Sequence, residues 1–126
     1  MEEIEIYKQS YASVMNGPVE GSVVDEILSD YSITNEVYRL WLIETGGGPI
    51  GPEWFDGPHE LKESQKKYAE EEWEVPGFVV GWDGAGNPMV IKEDGSIVCP
   101  DHNFGGVHEF ASSFHAYLKE HTLTSR

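Results

Sequence analysis

The side chains with chemical potential in this chain are a glycine triplet, an aspartate-led turn, C-terminal histidines, one cysteine and many carboxylates and tryptophans. Gly46-Gly47-Gly48 could cradle a phosphate on its backbone N–H groups. A phosphate loop, however, follows a strand, opens a helix and usually carries a Lys. This triplet follows a helical pattern, has no basic neighbour and runs into Pro49, so it reads as a helix stop. Asp83-Gly84-Ala85-Gly86-Asn87 could hold calcium, but an EF-hand needs alternating oxygen ligands over about 12 residues and a distal Glu. Only Asp83 and Asn87 offer side-chain oxygens, which is the composition of a turn. His102, His108, His115 and His121 invite a metal reading, with Asp101 or Glu109 as further ligands. Zinc-binding pairs on one helix are spaced about three or four apart. His108 and His115 are seven apart and read as surface residues. Cys99 sits in an apolar run and reads as a small core residue. Ser112 and Ser113 lack the Gly-x-Ser-x-Gly context of a nucleophile elbow. No catalytic residue, cofactor or metal is expected.

The elements that position these residues follow from periodicity and punctuation. Glu2 to Tyr11 suits a helix that Asn16-Gly17-Pro18 would end; residues 1–21 otherwise read as an N-terminal extension. Ser22 caps a short helix bearing Val23, Val24, Ile27 and Leu28. Thr34 caps the next, whose apolar face is Val37, Leu40, Trp41, Leu42 and Ile43. Pro49 to Asp56 reads as an extended segment or edge strand, which leaves room for a dimer contact. Pro58 opens a polar surface helix reaching about Glu72, with Leu61, Tyr68 and Ala69 as its apolar contacts. Phe78, Val80 and Trp82 alternate, as do Met89 with Ile91 and Ile97 with Cys99. That is a three-stranded meander with turns at Asp83–Asn87 and Glu93-Asp94-Gly95. A last helix is predicted to stripe Val107, Phe110, Ala111, Phe114 and Leu118, before a polar tail at 122–126. The result is one α+β domain over residues 1–126, an antiparallel sheet of about four strands packed with helices.

Charge narrows the function. The chain carries 23 acidic and 8 basic residues, a formal net charge of −15. Such a domain is repelled by nucleic acids and anionic membranes and attracted to basic proteins. Residues 1–75 hold 17 of the acids. No apolar run reaches a membrane span, no secretory h-region opens the chain, and a lone cysteine suits a reducing cytoplasm. Trp41 and Trp82 fit a core pattern. Trp54 and Trp73 lie among acids and Gly or Pro, as at a protein-binding surface.

Leu40-Trp41-Leu42-Ile43-Glu44-Thr45-Gly46-Gly47 resembles the helix-to-double-glycine element of the SMI1/KNR4 (SUKH) superfamily. Gly81 to Asn87, Ile91 to Val98, Asp101-His102 and Ala111-Ser112-Ser113-Phe114 resemble its strand-turn, hairpin and closing helix, in order over about residues 22–121. The chain departs from that pattern at Ile33-Thr34, Thr45-Gly46 and Gly86-Asn87. The resemblance implies a binding module rather than an enzyme, in bacteria an immunity protein that neutralises a polymorphic toxin, often a nuclease. The expected partner is a basic toxin domain, met by a monomer or weak dimer in the cytoplasm. The expected contact residues are Glu53, Trp54, Asp56, Glu60, Glu63, Glu70, Glu71, Glu72, Trp73 and Glu74, with acids steering and tryptophans anchoring. A scaffold or regulatory domain, as in cell-wall regulation, is equally compatible with the fold. A metal-binding protein or hydrolase is the third reading.

Overall fold

The computed structural model describes residues 1–73, 75–101 and 105–123. Within them run α1 (Glu2–Ser10), α2 (Gly21–Asp30), α3 (Glu36–Thr45), β1 (Gly48–Ile50), β2 (Glu53–Phe55) and α4 (Pro58–Glu70). There follow β3 (Phe78–Trp82), β4 (Pro88–Ile91), β5 (Ile97–Pro100), β6 (Val107–Ala111) and α5 (Phe114–Leu123). The strands form one antiparallel sheet in chain order, β1 to β6. The α+β class is as expected, but the sheet has six strands rather than about four. Pro49 to Asp56 makes a hairpin of two short strands. Val107–Ala111 is a strand, not the start of the last helix. There, pairing with β5 outweighs a stripe that fits a helix equally well.

Alternation gives the sheet two apolar faces. On the inner face Phe78, Val80, Met89, Ile91, Ile97 and Cys99 meet the helices. Trp41 lies edge-on to Tyr7 at 5.5 Å and Phe55 at 6.0 Å, and Phe114 lies 5.0 Å from Tyr38. Residues 1–21 are no appendage, because Ile4 and Tyr7 of α1 are fully buried in this core. On the outer face Val79, Val90 and Val98 lie beneath Tyr68, Val75 and Trp82.

Helix ends follow backbone geometry more than side-chain caps. The residues at the N-caps of α2 and α3 are Glu20 and Asn35, neither with a side-chain cap bond, so Ser22 and Thr34 do not cap. Gly46 ends α3 with φ 71°, and its N–H returns to the Leu42 carbonyl. A Cβ there would lie 2.0 Å from the Gly17 carbonyl oxygen. Asn16 Nδ2 donates to the Gly46 carbonyl at 2.9 Å, and Gly17 N–H to that of Thr45 at 2.6 Å. The glycine triplet thus stops a helix and lets two backbones touch. The C-terminal tail expected from residue 122 is helical through Leu123, and residues 124–126 lie outside the described part.

One contact joins sheet and helix more directly than packing does. The β2–β3 ladder pairs Trp54 with Trp82 and Phe55 with Gly81, and the Asp56 N–H donates to the Val80 carbonyl at 2.8 Å, which leaves the start of β3 without a strand on that side. α4 takes the vacant place. Gln65 Nε2 donates to the Val79 carbonyl at 2.7 Å, and Val79 N–H donates to Gln65 Oε1 at 2.8 Å. A side-chain amide replaces a missing strand, and both groups are buried. Gln65→Leu should lower the urea-unfolding free energy by about 2–4 kcal/mol, since it strands a buried donor and acceptor. Lys66→Leu, on the exposed side, should change it by less than about 0.5 kcal/mol. Equal effects would show that the clasp contributes nothing specific.

Candidate functional site

The expected contact residues do not form one surface. Glu53 is half-buried on β2, and burial, then the charge of Asp83, raises its carboxyl above the usual range. Trp54 is 39% exposed and opposes Trp82 across the β2–β3 ladder. Asp56 is 5% exposed and leaves the set. It accepts a 2.5 Å hydrogen bond from Ser64 Oγ, which itself accepts from Trp82 Nε1 at 3.0 Å. Glu60 accepts from the Gly57 N–H at 3.0 Å and so closes the first turn of α4. Glu63 is exposed, but on a face that also presents Lys62, Lys66 and Lys67, so this helix face is not acidic. The acidic excess concentrates at Glu70, Glu71 and Glu72. Trp73 is half-buried, stacked on Tyr68 at 6.3 Å, with its Nε1 donating to Glu71 at 2.9 Å. Glu74 lies outside the described residues.

The end of α4 and the far end of the sheet enclose a groove of about 820 Å³ on the outer face. Its apolar lining is Trp73, Val75, Pro100 and Val107, with Ala85 and Gly86 from the β3–β4 turn. Glu71, Glu72, Asp101 and Lys67 supply its ionisable groups. The Lys67 ammonium already sits 4.2 Å from the centre of the Trp82 ring, a cation–π contact, leaving carboxylates to dominate the rim. Tyr68 donates its hydroxyl to the Val75 carbonyl and so fixes the chain that returns from α4 to β3. Of this lining, the sequence expectation named Glu71, Glu72 and Trp73 but not Val75, Pro100 and Val107. The signal available was Gly105-Gly106, both with positive φ, which closes a β5–β6 hairpin and carries Val107 to the groove.

The remaining candidates are occupied by structure. Asp83 Oδ1 accepts from the N–H groups of Ala85 and Asn87, both at 2.8–2.9 Å, as an Asx turn. Burial opposes its ionisation, but those bonds outweigh it and hold the carboxyl below its usual range. Cys99 is buried, and burial, then the charge of Asp83, pushes its thiol up to about 12. It stays a thiol at neutral pH. His115 pairs with Glu3 at 3.0 Å, and His121 packs 4.4 Å from Tyr117. His108 is exposed, 3.8 Å from Asp101, and His102 lies outside the described residues. Among the described residues no three His, Cys, Asp or Glu side chains converge as metal ligands would. Among the described residues no helix is long and apolar enough to cross a membrane. No protein-family model matches the chain, and comparison with curated proteins gives no match.

Burial pushes the Asp56 carboxyl up to about 6 against the opposing Ser64 bond. The folded state therefore holds a proton, between its ordinary 3.8 and about 6, that the unfolded chain releases. Stability from this group is complete below that window and is lost as pH rises through it. Asp56→Asn should accordingly gain on the parent as pH rises from 4 to 7, by on the order of 2 kcal/mol. Thermal unfolding of both proteins across that range measures it; parallel curves would show that Asp56 does not carry a raised pKa.

Proposed function

We propose that the chain is an acidic protein-binding module of the immunity type, which binds a basic toxin domain in the cytoplasm and occludes its active site. The observation that carries this is the outer-face groove, lined by Trp73, Val75, Pro100 and Val107 beside Glu71, Glu72 and Asp101, in a chain of net charge −15. Desolvated aromatics ringed by charge are how interfaces combine affinity with steering. A toxin that cuts nucleic acid needs a basic substrate face, and an acidic inhibitor is drawn to such a face rapidly at low salt. The motif order that resembles the SMI1/KNR4 superfamily supports the same reading. The contact surface is the groove and the acidic end of α4, not the whole length of that helix.

Co-purification with toxin domains encoded beside this chain, and protection of cells expressing them, tests the proposal. With a bound toxin in hand, Trp73→Ala should weaken affinity by about 2 kcal/mol or more, roughly 30-fold. Trp54→Ala, outside the groove, should cost less than about 1 kcal/mol. Glu71→Lys with Glu72→Lys should slow association and flatten its salt dependence. A captured partner that is an endogenous cytoplasmic protein, with no protection of cells, would replace immunity with a scaffold role. No captured partner at all would sink the binding-module reading.

A further inference from the structure

The two edges of the sheet are treated differently. At β1 the Tyr7 hydroxyl donates to the Pro49 carbonyl at 2.6 Å, and the Tyr117 hydroxyl to that of Ile50 at 3.0 Å. The Gly51 N–H donates to the Tyr11 hydroxyl at 3.0 Å, and Pro49 has no N–H to offer. That edge is three residues long and closed to pairing. At β6 no such hydroxyl bond and no proline is present among the described residues, and the register shift between Ile97 and Val98 leaves Val107 to Glu109 as its regularly paired part. It has five residues, no proline and no lysine, and Val107, His108 and Glu109 are exposed.

Register identifies what the open edge presents. Asp101 N–H donates to the Gly106 carbonyl, and Val107, His108 and Glu109 then oppose Pro100, Cys99 and Val98. Antiparallel pairs alternate between bonded and non-bonded, so His108 bonds inward to β5. The N–H and C=O groups of Val107 and Glu109 face the open side. The same two residues share the outer face with Pro100 and Val98, beside the groove. A strand added here would set every second side chain over the outer face, within reach of Glu109, Asp101 and the acidic end of α4.

We propose that β6 takes an extended, lysine- or arginine-bearing segment of a protein partner as a seventh strand, its basic side chains lying over the groove. The charge chooses the occupant. The groove's rim carries the exposed carboxylates of Glu71 and Glu72, Lys67 is engaged on Trp82, and the whole chain is at −15. A second copy would bring the same charge and the same Glu109 against themselves. The proposal rests on the binding-module reading and specifies its mode: backbone pairing gives affinity, and alternate basic side chains give selectivity.

The test uses the full chain, isotope-labelled, and the peptide acetyl-(Lys-Val)4-amide at low salt. The amides of Val107 and Glu109 and the Trp73 indole should shift, and acetyl-(Glu-Val)4-amide should shift none of them. Methylating the peptide's lysine nitrogens or its valine nitrogens should abolish binding in one case and leave it in the other, because a strand offers only alternate N–H groups to its neighbour. Glu109→Pro should weaken binding by about tenfold or more, since Pro deletes an outward N–H that an edge strand does not otherwise use. Glu109→Gln, which keeps that N–H, should stay within about threefold. Absence of shifts at β6, equal effects of the two methylations, or full binding by a folded Glu109→Pro overturns the proposal. If that variant does not fold, the methylated peptides decide with the parent protein. Toxin capture without peptide binding at β6 would remove only this mode; peptide binding without toxin capture would remove only the immunity reading.

Discussion

The geometry of the candidate site depends on a single side-chain amide. β2 is too short to accompany β3 along its length, and an edge left open inside a packed domain would leave buried backbone groups unpaired. Gln65 fills that gap on Val79 and thereby fixes the rotation of α4 about its own axis. With that rotation set, Ser64 falls one residue away against Asp56 and Trp82, and Lys67 falls over the Trp82 ring. Tyr68 reaches the outer face, and the chain leaves the helix with Trp73 stacked on it. A helix held only by apolar contacts could slide or roll by a fraction of a turn at little cost. A bidentate bond to one residue of a strand does not permit that, so the groove inherits a defined wall.

Closing the gap with a polar helix has its own consequence. It brings Asp56 indoors, where burial disfavours its charge. The carboxylate is stabilised by one short bond from Ser64, and the Tyr38 hydroxyl, buried with no hydrogen-bond partner among the described residues, lies close enough to feel its charge. A polar pocket of this kind is tolerated because the surrounding aromatic core is large. Trp41, Tyr38, Phe55 and Phe114 are all essentially fully buried and meet at edge-to-face distances. Such contacts stabilise by about 0.5–1.5 kcal/mol each beyond area burial, enough to tolerate one uncomfortable carboxyl.

Turns and most of the strand alternation were legible in the sequence, but Trp82, expected on one face with Phe78 and Val80, lies with Val79 on the outer face because the β3–β4 register shifts between Val79 and Gly81, and the polar interior was not legible. Gly46, the Asp83–Asn87 turn and the Asp94-Gly95 turn carry residue types whose backbone demands are local, and they lie where those demands place them. Cys99 was readable for the same reason, as part of an alternating run. Asp56 and Gln65 were not, because a polar side chain in a chain of this charge reads as solvated until a particular neighbour buries it. Val107 to Ala111 misled by symmetry of pattern. Its apolar residues, continued through Phe114 and Leu118, match a helical stripe, while only the partner strand β5 reveals the shorter period. Within the site, the acidic half was visible in composition and the apolar half was not, since Pro100 and Val107 meet Trp73 only after the sheet has formed.

The same charge that suggests a basic partner also explains how an open edge is tolerated. An unprotected strand usually invites pairing with another copy, and proteins blunt it with lysine, proline or a bulge. Here two copies paired through β6 would bring neighbouring strands to about 5 Å, so the charges nearest that edge, Glu109 among them, would meet inside the Debye length of about 8 Å at physiological salt. Their repulsion would therefore be little screened at contact. The bulge in the β5–β6 ladder shortens the regular edge to Val107–Glu109, and net charge guards that remainder against a second copy. A guard of that kind discriminates by sign: it excludes acidic and identical strands and leaves the edge accessible to a basic one. Closing β1 with tyrosine hydroxyls while leaving β6 open confines that accessibility to the side of the sheet that carries the groove. Backbone pairing, apolar burial and charge selection are thereby available on adjoining surfaces, and each acts where the other two are in reach.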